Sequence, residues 1–153
     1  MDDLQFAGKN NNSPPMSANI TAVAPEVILL VDDDDLVRRV VRRMLEARGY
    51  VILEASSGRE GLEWFRNHLD VIDLLLTDVV MPEVGGWELA ERARELRPGL
   101  RIMFMSGHSK DVVPDADLLY GALFLQKPFT VIGLNEKVRQ ALNLESSLSC
   151  CMH

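Results

Sequence analysis

The chain has 153 residues, is 47% hydrophobic and 25% charged, and carries a formal net charge of -7. That length suits one domain with a core of useful size, and an acidic balance without a long basic run argues against a nucleic-acid interface built on a basic face. No apolar run approaches the ~18 residues of a membrane span, no signal-peptide pattern opens the chain, and adjacent Cys150 and Cys151 close no useful loop, which fits a reducing cytoplasm.

Residues 1–25 combine Asn10-Asn11-Asn12, Ser13 and Pro14-Pro15 with little apolar periodicity, the composition of a disordered tail. Val27–Val31 is a short apolar run of the kind that a sheet covers on both faces. It stops at the aspartates Asp32 to Asp35. From Leu36 the period turns helical, with Leu36, Val37, Val40, Val41, Met44 and Leu45 on one side. Asp34 or Asp35 is the N-cap, and Gly49 is the stop. Tyr50–Ala55 reads as a second strand and Ser56-Ser57-Gly58 as a turn. A helix from Arg59 to Asn67 turns Leu62 and Phe65 inward. Ile72–Thr77 is the third strand and ends at Asp78. Beyond it Pro82 lacks a backbone donor and Gly85-Gly86 permits a tight turn, so the strand cannot continue. Gly86–Leu96 is a helix with Leu89, Ala90, Ala93 and Leu96 at core spacing, stopped by Pro98-Gly99. Arg101–Met105 is the fourth strand, followed by Ser106-Gly107-His108. Pro114 limits the next segment to a short helix near Asp115–Tyr120. Ala122–Leu125 is the fifth strand, and Gln126-Lys127-Pro128-Phe129 leaves it. Thr130 caps a last helix that turns Val131, Leu134, Val138, Ala141 and Leu142 inward. Residues 26–144 form the domain, and residues 145–153 are expected to fray.

Strands alternating with helices through short connections imply an α/β fold with a parallel sheet and right-handed crossovers. In such a sheet the C-terminal strand ends share one rim, where ligand sites form. Asp32 and Asp33, Asp78, Ser106 and Lys127 all fall on that rim. Neighbouring strands lie ~5 Å apart, so these side chains can converge. Clustered carboxylates are hard oxygen ligands that suit Mg²⁺. A lysine and a hydroxyl beside them make a phosphoryl-transfer site, where the protein's task is positioning and charge stabilisation. Asp78 is then the nucleophile that forms an acyl phosphate.

The stretches Ile28-Leu29-Leu30-Val31-Asp32-Asp33, Leu76-Thr77-Asp78-Val79-Val80-Met81-Pro82 with Gly85-Gly86, Met105-Ser106-Gly107 and Leu125-Gln126-Lys127-Pro128-Phe129 resemble the response-regulator receiver domains of two-component signalling. The resemblance covers roughly Val27 to Leu142. It implies a flavodoxin-like, doubly wound (βα)5 fold with a five-stranded parallel sheet in the order 2-1-3-4-5. It also implies roles: Asp78 as phosphoacceptor, Asp33 as direct Mg²⁺ ligand, Asp32 acting through water, and the Val80 backbone carbonyl as a further ligand. Ser106 matches the hydroxyl that moves onto the phosphoryl group and Lys127 the cation that pairs with it. Pro128 matches a proline whose preceding bond is usually cis. Phe124 stands at an aromatic switch position, here without a phenol hydroxyl. Val80 and His108 occupy the variable positions that flank the path of the hydrolytic water.

The function implied is that of a receiver taking a phosphoryl group from a histidine kinase or histidine phosphotransfer protein, with Mg²⁺, in the cytoplasm. Catalysis is expected to stop at self-phosphorylation and autodephosphorylation. Ser106 and Phe124 would then change the face of the fourth helix, fifth strand and fifth helix, and a receiver homodimer is compatible with this. No nucleic-acid or membrane contact is expected. Few residues follow the last helix, so a single-domain regulator or a receiver of a larger protein is expected, and the motif wording resembles hybrid histidine kinases. Two other classes compete. A receiver-like binding module would work without phosphorylation, although every site residue is present. A haloacid-dehalogenase-like phosphatase would use Asp32 and Asp34, but Leu36 stands where Thr or Val is expected, no acidic pair follows Lys127, and Asp78 would have no task.

Overall fold

The computed structural model describes residues 24–107 and 122–151. Its elements in order are β1 (Val27–Val31), α1 (Asp35–Glu46), β2 (Val51–Ala55), α2 (Gly58–His68), β3 (Leu74–Asp78), α3 (Gly86–Leu96), β4 (Arg101–Ser106), β5 (Leu123–Gln126) and α4 (Val131–Cys151). All strand pairs are parallel, and the sheet order is β2-β1-β3-β4-β5. This is the flavodoxin-like order expected.

The sheet is buried on both faces, which is why its central strands are unbroken apolar runs. Successive strand residues point to opposite faces. Leu29, Val31 and Leu75 therefore pack with Phe65, Leu89 and Ala93 from α2 and α3. Ile28, Leu30, Leu74 and Leu76 pack with Val41 and Leu45 of α1 and Leu134 and Val138 of α4. Each buried Leu or Val contributes about 1.5–3 kcal/mol of burial free energy.

The helix starts follow local chemistry. Asp34 Oδ1 accepts from the amides of Leu36 and Val37 at 2.9 and 3.2 Å. Ser57 Oγ accepts from the amide of Glu60 at 3.1 Å, and Glu60 Oε1 reaches back to accept from the amide of Ser56 at 2.7 Å. Thr130 Oγ1 accepts from the amide of Gly133 at 2.9 Å. The bonds to Leu36, Val37, Glu60 and Gly133 satisfy amides that the helices themselves leave free, and the bond to Ser56 ties the residue before the cap to the first turn. Past the end of α1, Gly49 adopts φ +95°, a left-handed conformation that lacks a steric cost only for glycine.

Several expected details differ. Strand β3 begins at Leu74 rather than Ile72, because the Ile72 carbonyl is taken by the Arg97 guanidinium, which also reaches the Leu69 carbonyl. Helix α4 spans Val131–Cys151, and residues 134–151 hold no glycine or proline. Leu96 and Val131 are exposed rather than inward, and Leu36 and Val40, on the apolar side of α1, are exposed as well. Each shares a helix side with core residues but lies at the margin, or in the first turn, beyond the sheet's reach. The expected helix near Asp115–Tyr120, His108, and most of the N-terminal tail lie outside the described residues. No helix among the described residues is long and apolar enough to cross a membrane.

Candidate functional site

The parallel register brings the rim residues to one end of the sheet. Val31 is level with Ala55 on one side and Thr77 on the other, so Asp32 and Asp78 leave adjacent strands at the same height. Asp78 is level with Met105, and Ser106 with Gln126. Lys127 comes directly after, its amide bonded to the Ser106 carbonyl at 2.8 Å.

Oxygens of Asp32, Asp33 and Asp78 all lie within 4.8 Å of one another. Asp32 is fully buried, Asp33 is exposed, and Asp78 lies between these extremes. Lys127 Nζ bridges two of them, at 3.1 Å from Asp32 Oδ2 and 3.5 Å from Asp78 Oδ1. Asp32 Oδ1 also accepts from the amide of Asp34 at 2.9 Å. Burial pushes the Asp78 carboxyl up to about 6, opposed by the charge of Lys127 and reinforced by Asp32 and Asp33. For Lys127 burial works downward, but Asp32 and Asp78 outweigh it and leave the ammonium above its ordinary value. The site thus holds more negative charge than one lysine neutralises. Oxygen donors so placed, with an exposed member open to water, fit a hard divalent cation.

The loop after Asp78 is shaped around its backbone. The Asp78 Oδ1 accepts from the amide of Val79 at 3.1 Å. Thr77, buried, donates its hydroxyl to the Asp78 carbonyl at 3.0 Å. The Gly86 amide donates to the Val79 carbonyl at 2.9 Å. A Cβ on Gly86 would stand 1.9 Å from the Asp78 carbonyl oxygen. The glycine pair therefore does more than turn the chain, because Gly86 lets α3 start against the acid's own backbone. Within this loop Glu83 takes φ +65°.

Of the residues singled out, Asp32, Asp33, Asp78 and Lys127 come together directly. Ser106 is buried at the end of β4, next to the strand of Asp78. Val80 lies in the loop and is 64% exposed. The Lys127–Pro128 bond is cis. Phe124 does not join the acids. It stacks on Phe104 at 5.1 Å, and Phe104 stacks on Trp87 at 5.5 Å, linking β5 through β4 to the first turn of α3. His108 lies outside the described residues. Sequence reasoning passed over Thr77, whose polar side chain in an apolar strand was a usable signal. It also passed over Arg38 and Glu54, whose pairing joins α1 to β2 and has no local signature.

The family model of the response regulator receiver domain matches residues 28–139. The chain belongs to this family. The response regulator receiver protein CpdR of Brucella abortus is 40% identical over 116 residues, covering 75% of this chain and 95% of that protein. The sensor kinase CckA of the same organism is 38% identical over 118 residues, covering 75% of this chain. The chain spans only 12% of that kinase's length. Among solved structures, the receiver domain from the hybrid histidine kinase CckA superposes with a TM-score of 0.66 at 40% identity, covering 76% of this chain and 98% of that domain. The chain is thus similar both to nearly the whole of a response regulator receiver protein and to one domain of a hybrid histidine kinase.

Proposed function

We propose that this receiver is a phosphoacceptor that takes a phosphoryl group onto Asp78, with Mg²⁺, from the phosphohistidine of a histidine kinase or phosphotransfer protein in the cytoplasm. The observation that carries the reading is the convergence of Asp32, Asp33 and Asp78 around the bridging Lys127. Asp33, Asp78 and the Val80 carbonyl would hold the ion, with Asp32 acting through water. When bound, the ion supplies positive charge against the phosphoryl oxygens.

The remaining work falls to the chain. An Asp78 carboxylate oxygen attacks phosphorus in line, the new P–O bond forms as the donor's P–N bond breaks, and the imidazole keeps the bonding pair. Lys127 already faces Asp78 and can pair with an incoming phosphoryl oxygen. The Ser106 hydroxyl, one strand over, donates to another. Attachment would draw Ser106 inward and bias the Phe124 stack, shifting a pre-existing equilibrium that partners or a second receiver read. Val80 and His108 would flank the hydrolytic water and set the lifetime of the acyl phosphate.

The surface beside the site supports a protein donor. A cleft of about 530 Å³ is lined by Leu36, Val40, Met44, Lys127, Pro128 and Phe129. Its exposed leucine and valine sit on α1 at helical spacing, an apolar stripe that suits a partner helix. The test is intact mass after incubation with acetyl phosphate. Wild type should gain one phosphoryl group with Mg²⁺ and none with EDTA, and Asp78→Asn should gain none. An adduct that survives Asp78→Asn would refute the assignment. Wild type that gains nothing while binding Mg²⁺ would favour a phosphorylation-independent binding module.

A further inference from the structure

Arg38 lies in the first turn of α1, and its side chain is only 16% exposed. Its guanidinium is used on three sides. Nη1 donates to the Asp32 carbonyl at 2.7 Å, Nη2 to Asp35 Oδ1 at 2.7 Å, and Nε to Glu54 Oε1 at 3.1 Å. Glu54 is held in turn by Arg42 through its other oxygen and by Trp64 Nε1, which donates to its carbonyl at 2.9 Å. Arg38 therefore ties the loop between β1 and α1 to β2, itself braced by α2.

The Asp32 carbonyl and the Asp33 nitrogen belong to one planar peptide unit. Holding that carbonyl sets the plane from which the Asp33 side chain departs. Asp33 is exposed, and among the described residues no hydrogen bond orients its carboxylate. Its direction depends on the backbone that carries it.

We propose that Arg38, held by Glu54, is a positioning residue for the cation site: it aims Asp33 by fixing the Asp32–Asp33 peptide. The inference rests on the reading of Asp32, Asp33 and Asp78 as the Mg²⁺ site. Charge alone argues the opposite way. A guanidinium near an acidic cluster repels a second cation, so its removal would tighten Mg²⁺ binding. A planar fork that spans three acceptors is also something lysine cannot replace.

The experiment titrates Mg²⁺ calorimetrically into the full chain as wild type, Arg38→Met and Arg38→Lys, with urea unfolding in EDTA to verify folding. Arg38→Met should raise the Mg²⁺ Kd about tenfold, within the range for groups that orient metal ligands. Arg38→Lys, with its charge intact, should still weaken binding several-fold. Acetyl phosphate should modify both variants slowly at limiting Mg²⁺ and near the wild-type rate at saturating Mg²⁺, because Arg38 touches no reacting atom. A folded Arg38→Met with a Kd equal to or below that of wild type overturns the inference and leaves the proposed function standing. If Arg38→Met does not fold, Arg38→Lys decides, and an unchanged Kd overturns it. Wild type that binds no Mg²⁺ and takes no phosphoryl group overturns the proposed function, and the inference falls with it.

Discussion

Replacing Asp78 with asparagine should stabilise the metal-free protein at neutral pH. The native carboxyl titrates at about 6 against an ordinary 3.8, chiefly because it is buried beside Asp32 and Asp33. A raised native pKa means that the folded state holds its proton after the unfolded chain has released it. The stability linked to that proton is complete below about pH 4 and is lost as pH rises through about 6. Each pKa unit corresponds to about 1.4 kcal/mol, so the full loss approaches about 3 kcal/mol before discount for solvent at the rim. Asparagine keeps the shape and carries no charge. Without metal, Asp78→Asn should therefore exceed wild type by about 1–3 kcal/mol at pH 7.5 and by much less at pH 4. Urea unfolding at both pH values in EDTA measures this. Adding Mg²⁺ should then stabilise wild type and leave the variant nearly unchanged, because the ion binds the native carboxylates. An Asp78→Asn protein that is less stable at pH 7.5, or whose advantage is the same at both pH values, would refute the electrostatic reasoning.

Other perturbations test separate parts of the site. Gly86→Ala sets a methyl group against the Asp78 carbonyl, so the loop must move; it should cost about 2 kcal/mol in urea unfolding and abolish modification by acetyl phosphate. Lys127→Met leaves Asp32 fully buried without its cation, and should cost about 3 kcal/mol at pH 7.5, with phosphorylation lost even at high Mg²⁺. Val40→Glu on the exposed face of α1 should change stability by less than about 0.5 kcal/mol and leave acetyl phosphate modification intact. It should slow transfer from a phosphorylated donor protein, as read by loss of label from the donor.

Much of the architecture was legible because the strands are buried on both faces. Val27–Val31 and Leu74–Leu76 are uninterrupted apolar runs, and the chemistry-bearing residues stand where those runs stop. Asp32, Asp78, Ser106 and Lys127 each end or follow a strand, so a parallel sheet gathers them without further information. What escaped was set by contacts distant in sequence. The start of β3 depends on Arg97 capturing the Ile72 carbonyl, a pairing no local pattern announces. Periodicity located one apolar side of α1 but not its covered width: Leu36 and Val40 lie on that side yet face solvent. The brace of Arg38 on Glu54 and the Asp32 carbonyl joins three elements, and charged residues on a helix read alone as a solvated face. Gly86 was legible as a turn, but its contact with the Asp78 backbone emerges only from the fold.

The central claim is that Asp78 itself carries the phosphoryl group. Borohydride reduces an aspartyl phosphate to homoserine and leaves free carboxylates untouched. The decisive measurement is peptide mass spectrometry after the protein is treated with acetyl phosphate and Mg²⁺ and then borohydride. Homoserine at position 78 alone, absent when EDTA replaces Mg²⁺, is the expected result. Homoserine at position 32 instead would contradict the account and point to a phosphatase-type nucleophile.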